Sequence, residues 1–407
     1  MAIPNNGVRP GPSPGEERFM ATPHPSGGFT LSQSVAVIAM GVTVGCIPAL
    51  QPILLGGLLG QHRLTAAQIG QAATAEAIGM ALAMTLAALL LKPDRLKPLA
   101  LAAILAAVAA NAATGFLSGF AVVLLRAVNG AASGVLLWIL VGFTARAMAP
   151  GRVFAIYVTA QASVAFAMSI LLSQWIVPAL GAAGGYALLT LADAALLMAL
   201  VFMPGFYPPP AAGDARGAPP LAGVVALLGC GLFLAAIMAF WVYVIPMGRQ
   251  LGHAPASLGL AVNAAIGVQI LAGLAATVLA PHLKPLLACL AGAAAASLAI
   301  AAFLTLPGDV VLYGALGVFS FTWMFVPPFQ MPLLIEVDPS LRSALLIGSA
   351  QLFGVAAGPM LASPMVTDAN TLPAAFVALG CAALSVLLTL GAYGVRWSRS
   401  RRPAPAV

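Results

Sequence analysis

The chain has 407 residues, of which 61% are apolar and only 7% carry a charged side chain. Its mean hydropathy is +1.04. A water-soluble domain cannot have this composition, because its surface needs charged and polar groups. The formal net charge of +7 is spread over many loops rather than gathered on one surface, which excludes a nucleic-acid-binding footprint. The composition therefore indicates an integral membrane protein.

Twelve apolar blocks of membrane-spanning length follow one another along the chain. A bilayer core about 30 Å thick takes about 20 apolar residues per helix. The blocks are continuously apolar rather than alternating, which favours helices over the strands of a barrel. The predicted spans, numbered one to twelve, are 31–57, 68–91, 99–117, 119–146, 153–176, 184–205, 221–246, 256–281, 286–305, 309–335, 343–366 and 371–395.

The two halves of the chain resemble each other. Leu96-Lys97-Pro98-Leu99 recurs as Leu283-Lys284-Pro285-Leu286, and Ala160-Gln161 recurs as Ala350-Gln351, in the same order and at a similar offset. Two parallel six-helix halves are typical of one large transporter fold, whose substrate site lies between the halves near the bilayer midplane. The predicted units are a disordered tail (1–30), a first six-helix bundle (31–205), a linker (206–220), a second six-helix bundle (221–395) and a basic tail (396–407).

The positions of Lys and Arg predict the orientation of the chain. An even number of spans places both termini on one side, and that side holds all but three of the 17 Lys and Arg residues. Arg63 and Arg249 lie on the other side, and Arg126 lies within a span. Because cytoplasmic loops carry the excess of Lys and Arg, both termini, the linker and the basic tail are predicted to be cytoplasmic.

Ionisable side chains inside predicted spans are the strongest pointers to function. Burying each one costs several kcal/mol, so such residues usually serve a pathway or a binding site. The sequence places only three inside spans: Glu76 in span two, Arg126 in span four and Asp193 in span six. All three even-numbered spans enter from the outside and carry the charge at a similar distance from that end, so the three are predicted to lie at similar depth. The alternative is a permanent Glu76–Arg126 pair that only fixes helix packing.

Over residues 31 to 395 the chain resembles the major facilitator superfamily. The loop after span two, Leu90-Leu-Lys-Pro-Asp94-Arg95-Leu-Lys97-Pro98, keeps the Asp-Arg pair and one later cation of that family's loop signature but lacks both glycines. Arg126-Ala-Val-Asn129-Gly130 fits the family's Arg-x-x-x-Gly pattern in span four. Span five lacks the Gly-Pro-rich motif of the family's proton-antiporting exporters, although a Gly354-x-x-x-Gly358-Pro359 run occurs in span eleven. The resemblance implies an all-α polytopic membrane protein with twelve transmembrane helices in two pseudo-symmetric bundles.

The resemblance also implies roles for individual residues. Spans two and four are neighbours in that fold, so Arg126 is the predicted anion-binding group and Glu76 its switchable, proton-carrying partner. Asp193 is a second candidate for proton coupling, with a structural role as the alternative. Spans one, four, five, seven, eight, ten and eleven line the cavity or its gates, and their amides and aromatic rings are candidate substrate contacts: Gln51, Asn129, Trp138, Gln161, Trp241, Tyr243, Asn263, Gln269, Trp323, Gln330 and Gln351.

For any single aromatic ring in this set, a core or interface anchor is the better interpretation. Asp94, Arg95 and Lys97 are the candidate conformational lock between the halves, and a solvated loop is an equally good interpretation. Pro48 and Pro52 in span one, and Pro327, Pro328 and Pro332 in span ten, are predicted to interrupt their helices.

The predicted function is secondary active transport of a small organic anion by alternating access, coupled to proton symport. Proton-coupled export of amphiphilic compounds is the alternative, and a membrane receptor is a third class. No nucleotide-binding loop, catalytic set or metal-ligand spacing is present, so no enzyme activity, cofactor or metal is predicted. Cys46, Cys230, Cys289 and Cys381 fall in spans as core residues. The predicted partners are the substrate, protons and lipid, with no nucleic acid, and the protein is expected to be a monomer in a bacterial inner membrane.

Overall fold

The computed structural model describes residues 29–148, 150–207 and 218–400, and every regular element in these ranges is a helix. The helices follow the predicted spans to within a few residues. Spans one to six are Leu31–Gly45 with Ile47–Gly60, Ala66–Leu90, Leu96–Thr114, Phe120–Thr144, Pro150–Leu171 with the π-helical turn Leu172–Ile176, and Val177–Phe202. Spans seven to twelve are Leu221–Trp241 with Val244–Gln250, Pro255–Leu279, Pro285–Thr305, Asp309–Phe325 with Pro327–Val337, Ile347–Ala362 and Pro373–Ser400. A short helix, Arg342–Leu345, precedes span eleven.

The helices account for the twelve predicted spans. Within the described residues, nine helices are long and apolar enough to cross a membrane, and the bent pair in span ten is a tenth. One of the nine, Arg152–Phe202, has 51 residues and contains two spans, because Gly181 breaks it with φ 66°. An added Cβ at Gly181 would also overlap the Gln61 amide, so this turn needs glycine. Span eleven, Ile347–Ala362, is a shorter apolar helix. The protein is an all-α polytopic membrane protein.

Some predictions concern residues that lie outside the described ranges. Most of the tail 1–30 and most of the linker 206–220 lie outside them, as does the end of the basic tail 396–407. The bundle boundaries and the sidedness of the termini stay predictions. The four cysteines are buried and free of disulfides, in agreement with a role as core residues.

Span one is interrupted as predicted, at Cys46 rather than at a proline, but the prediction is wrong for Pro52, which lies inside the second segment Ile47–Gly60. Pro48 has no backbone N–H to donate to a carbonyl in the preceding turn. The amide of the next residue, Ala49, donates to the Cys46 carbonyl at 3.1 Å instead of to the Gly45 carbonyl. The freed Gly45 carbonyl accepts a hydrogen bond from the Gln161 side chain of span five at 2.8 Å. A side chain from a neighbouring helix thus satisfies the broken backbone, as an apolar environment requires.

Span ten is interrupted at Pro327 and Pro328, as predicted, whereas the prediction is wrong for Pro332, which lies inside the second helical segment Pro327–Val337. Pro327 and Pro328 begin a new helical segment after Val326, and the two segments meet at an angle of 44°. Consecutive prolines remove two backbone donors and favour a bend at this point.

The two halves repeat one packing scheme. In the first half span two packs against span four, span three against spans four and six, and span one against spans five and six. The same pairs recur six spans later, as eight with ten, nine with ten and twelve, and seven with eleven and twelve. The halves meet along two seams, where span two packs against span eleven and span five packs against span eight. The repeat relates the two seams, because span eight is the counterpart of span two and span eleven is the counterpart of span five. This pairing agrees with the two pseudo-symmetric bundles expected from the sequence.

Four hydrogen bonds between described residues join the halves. They run from the Ala66 amide to Asp368 (2.6 Å), from Thr74 to the Ala356 carbonyl (3.3 Å), from Trp241 to the Ala49 carbonyl (3.2 Å) and from Asn263 to Ser173 (2.7 Å). All four lie in the middle of the spans or toward the end that the charge bias assigns to the outside. At that end Gly70 lies directly against Tyr243, Ser363 and Pro359 of the other half. The two halves are therefore closed against each other at the end of the spans that the charge bias assigns to the outside.

Spans two and four make the closest helix contact in the first half. An added Cβ at Gly130 would overlap the backbone carbonyl of Glu76, and one at Gly134 would overlap that of Met80. Small residues four apart let helix backbones approach closely where lipid provides no hydrophobic drive for association. The second half has a similar contact between spans eleven and seven, where Gly354 and Gly358 lie against the Gly231 and Ala235 carbonyls.

We predict that Gly130→Ala lowers the free energy of unfolding by ~1–3 kcal/mol, the usual cost of overpacking. The added methyl group would push span four away from Glu76. Gly380→Ala is the matched control, because nothing lies within 4 Å of a Cβ at that position of span twelve. Thermal unfolding of the two purified variants measures the difference, and equal midpoints would contradict the packing argument.

We also predict that Asp368→Ala opens the outer side. The Asp368 carboxylate accepts from the Ala66 amide in the first turn of span two, where helix amides lack intrahelical partners and favour negative charge. Loss of this bond should raise, several-fold, the rate at which an impermeant maleimide labels a Gly56→Cys reporter from outside. Asp309→Ala is the control, because Asp309 bonds to Ser257 within the second half. Equal labelling in both backgrounds would refute the prediction.

Candidate functional site

The three charged residues predicted inside the membrane meet in one cluster within the first half. An Arg126 guanidinium nitrogen, Nη1, lies 3.2 Å from Glu76 Oε1, and the two form an ion pair. Asn111 lies between Arg126 and Asp193 and hydrogen-bonds to both of them. The exposed fractions are 2% for Glu76, 1% for Arg126 and 3% for Asp193, so the cluster is shielded from both water and lipid. We call Glu76, Arg126, Asn111 and Asp193 the charge cluster.

Asn111 connects the two carboxylates through Arg126. Its side-chain oxygen accepts from Arg126 Nη2 at 2.7 Å, and its amide nitrogen donates to Asp193 Oδ2 at 2.7 Å. Thr114, one turn further along span three, accepts from the same guanidinium nitrogen at 2.9 Å. The Tyr186 ring of span six lies under the guanidinium, 4.9 Å from its centroid, and stabilises the cation. Arg126 is thus held from spans two, three and six.

Glu76 has three donors. Arg126 Nη1 donates at 3.2 Å, Asn129 at 2.7 Å and Gln51 at 3.2 Å. Asn129 lies one helical turn from Arg126 on span four, and Gln51 reaches Glu76 from the outer segment of span one. Two predicted substrate contacts, Gln51 and Asn129, therefore bind the charge cluster directly.

Three buried polar atoms without a hydrogen-bond partner belong to this cluster or to its direct contacts: Arg126 Nε, Gln51 Oε1 and Asn129 Oδ1. Ser133 Oγ, one turn beyond Asn129 on span four, also has none. Buried polar groups are normally paired, and unpaired ones concentrate at functional sites or mark bound water. The cluster is consequently the place in the described structure where the polar groups are least completely satisfied.

The other predicted substrate contacts lie elsewhere, in separate pairs. Gln161 binds the break in span one, while Gln351 donates to Gln330 at 2.8 Å, and Gln330 donates to the Cys230 carbonyl at 3.4 Å. Asn263 donates to Ser173 across the seam of spans five and eight, and Gln269 donates to Ser320 within the second half at 3.0 Å. These amides join helices, as many intramembrane amides do.

The aromatic candidates belong mainly to one group in the second half. The ring centroids of Trp241 and Trp323 are 5.6 Å apart with the planes inclined by 64°, an edge-on contact, and Trp241 also stacks on Phe319. Tyr243 lies against Gly70 at the closed outer side, whereas Trp138 of span four is partly buried. The structure does not gather these rings and the charge cluster into one pocket.

Of the candidate lock, Asp94 and Arg95 lie in the loop between spans two and three, and Lys97 lies in the first turn of span three. Lys97 donates to the Val201 carbonyl at the end of span six at 2.9 Å. The neighbouring backbone bonds, from Leu96 to Gly205 and from Tyr207 to Pro93, also stay in the first half. This part of the chain thus binds span six and the residues that follow it.

Three members of the site escaped the sequence prediction: Asn111, Thr114 and Tyr186. The prediction considered amides on the cavity-lining and gating spans, and span three is neither. A signal was present, because Asn111 is the one amide in an otherwise apolar helix and needs a partner there. No group of three or more His, Cys, Asp or Glu side chains in the described part of the chain is arranged to hold a metal ion.

Comparison with solved structures assigns the fold. The chain is similar to a Major Facilitator Superfamily (MFS) transporter, FucP, in the outward conformation, with a TM-score of 0.60, 14% identity, and coverage of 88% of this chain and 98% of that chain. It is also similar to the nucleoside transporter NupG, with a TM-score of 0.65, 15% identity, and coverage of 89% and 98%. The fold is that of the major facilitator superfamily. No protein-family model and no curated protein matches the sequence.

Proposed function

We propose that the protein is a secondary active transporter that moves a small organic solute by alternating access. The observation that carries this proposal is the architecture, two repeated six-helix halves joined by few polar bonds, all of them toward one side. Such halves can rock about a site between them. The two structural neighbours are transporters rather than enzymes by their descriptions, which supports the same class of function.

We further propose that the solute is anionic and enters with a proton. A guanidinium offers a planar fork that matches a carboxylate. Arg126 already holds one carboxylate, Glu76, so a substrate carboxylate would take the place of Glu76. Protonation of Glu76 removes its charge and frees the fork for that exchange. Proton and anion would then bind together, which is the requirement for symport.

Export of an amphiphilic compound is the alternative direction for the same machinery. The aromatic group around Trp241 and Trp323 supports binding of a flat or amphipathic solute. The absence of the antiporter motif from span five favours uptake over export. A bacterial inner-membrane location, cytoplasmic termini, a monomeric state and a lock formed by Asp94, Arg95 and Lys97 belong to the same proposal.

We predict that Glu76→Gln separates exchange from accumulation. The glutamine keeps the shape of the side chain but cannot load or release a proton. In proteoliposomes, counterflow of a substrate found by thermal-shift screening of organic acids, sugars and nucleosides should persist, and pH-driven accumulation should vanish. Glu336→Gln is the control, since Glu336 lies in the second half and accepts from Tyr393. Intact accumulation in Glu76→Gln would place coupling elsewhere or identify a uniporter.

We predict that Arg126→Ala abolishes binding of an anionic substrate and that Arg126→Lys restores it poorly. A lysine ammonium cannot reach Glu76, Asn111 and Thr114 in the fork geometry of the guanidinium. Arg63→Lys provides the comparison, because Arg63 only caps the carbonyls at the end of span three and lysine can bind carbonyls too. Normal transport by Arg126→Ala would end the anion hypothesis and favour a neutral or cationic substrate.

A further inference from the structure

The charge cluster contains one carboxylate more than it has cations. Glu76 and Asp193 face a single guanidinium, Arg126, and all three are at least 97% buried. An uncompensated charge in such surroundings costs several kcal/mol even after relaxation. The cluster is therefore short of one positive charge whenever both carboxylates are ionised.

The surrounding helices do not provide that charge. Span one contributes the neutral Gln51, span three Asn111 and Thr114, and span six Tyr186. Span eleven, which packs against span two, has no charged residue between Ile347 and Ala362. Lys97 and Arg152 lie at the opposite, cytoplasmic ends of spans three and five, and His62 lies in the outer loop.

The nearest remaining cation, Arg63 at the outer end, is occupied. Its guanidinium donates to the carbonyls of Thr114, Gly115 and Leu117 at the end of span three. It satisfies helix carbonyls there and pairs with neither carboxylate.

We propose that the cluster holds one proton, that this proton resides on Asp193 in the outward-closed structure, and that Asn111 is the positioning residue through which it exchanges with Glu76. This inference deepens the proposed transport function by naming the second proton site. Hydrogen bonds to a carboxylate favour its ionised form. Glu76 accepts from three donors and Asp193 from one, Asn111, so Glu76 keeps the charge and Asp193 keeps the proton.

Asn111 makes the exchange local. It accepts from Arg126 with its oxygen and donates to Asp193 with its nitrogen, both at 2.7 Å, so the guanidinium is already directed toward the second carboxylate. In one state Asp193 is protonated and Arg126 pairs with Glu76. In the other Glu76 is protonated and Arg126 pairs with Asp193. Each state holds one proton and one ion pair, so the cluster is neutral in both.

The exchange also reaches the contact between the halves. Gln51 donates to Glu76, and it lies two residues from Ala49, whose carbonyl accepts from Trp241 of the other half. Protonation of Glu76 weakens the bond from Gln51 and so changes the restraint on the outer segment of span one. The position of the proton is thereby linked to closure of the outer side.

Infrared spectroscopy of the purified full-length protein without substrate tests this inference, because the C=O stretch of a protonated carboxyl is distinct from that of a carboxylate. We expect one buried protonated carboxyl at neutral pH in the wild type. Asp193→Asn should remove the band. Glu76→Gln should remove it too, because Arg126 then pairs with Asp193 and keeps it ionised. Glu336→Gln should retain the band.

The pH dependence of this band in Asn111→Leu distinguishes a positioning role of Asn111 from a purely structural one. Asp193 loses its donor and its link to Arg126, so the band should persist to higher pH than in the wild type. An unchanged pH profile would remove Asn111 from the proposed exchange.

Three results would overturn the proposal. The wild type could show no protonated carboxyl, the band could survive Asp193→Asn, or it could appear only when sodium is absent, which would assign the missing charge to Na⁺. The wild-type titration decides the matter even where a variant does not fold. Because the measurement involves no transport, failure of the proposed transport function would show separately, as absent flux with an intact band.

Discussion

The ion pair between Arg126 and Glu76 is the interaction on which the first half is built. Two charges inside a bilayer are tolerated only when neighbouring side chains satisfy their remaining donors and acceptors. Five spans must therefore converge on one point: Gln51, Asn111, Thr114, Asn129 and Tyr186 supply the contacts from spans one, three, four and six, and Glu76 completes the set from span two. Gly130 permits the convergence, because only a residue without a side chain lets span four touch the backbone at Glu76.

The repeated architecture does not carry repeated chemistry. Spans eight and ten occupy in the second half the places of spans two and four, yet their buried polar contact is the neutral pair Gln269 and Ser320, and the bond from Ser257 to Asp309 lies at their exposed ends. The second half instead places aromatic rings near the middle of span seven, around Trp241 and Phe240. The asymmetry separates two tasks. In the proposed mechanism the first half carries the protonatable charges, and the second half offers an apolar aromatic surface.

Hydropathy and residue depth predict much of this molecule, and rotation of the helices about their axes decides the rest. Long apolar blocks fix the spans to within a few residues, and equal depth on neighbouring spans predicts that Glu76 can meet Arg126. Neither signal tells which face of span three points inward, so Asn111 could not be assigned as the link to Asp193. The break in span one shows the same limit. Pro48 predicts an interruption, but its place at Cys46 depends on Gln161 of span five, which the sequence cannot align with the Gly45 carbonyl.

The break in span one also explains how a change in the charge cluster can move a helix. A continuous transmembrane helix resists bending because each backbone bond supports the next. Span one is divided at Cys46, and its outer segment begins with a backbone bond of the shorter i to i+3 type, from Ala49 to Cys46. Two polar contacts restrain that segment near its start: Gln51 binds Glu76, and the Ala49 carbonyl binds Trp241 of the other half. The segment therefore lies between the charge cluster and the other half, with a break in the helix at one end. A helix placed in this way can pass a local change of charge to the contact that closes the outer side.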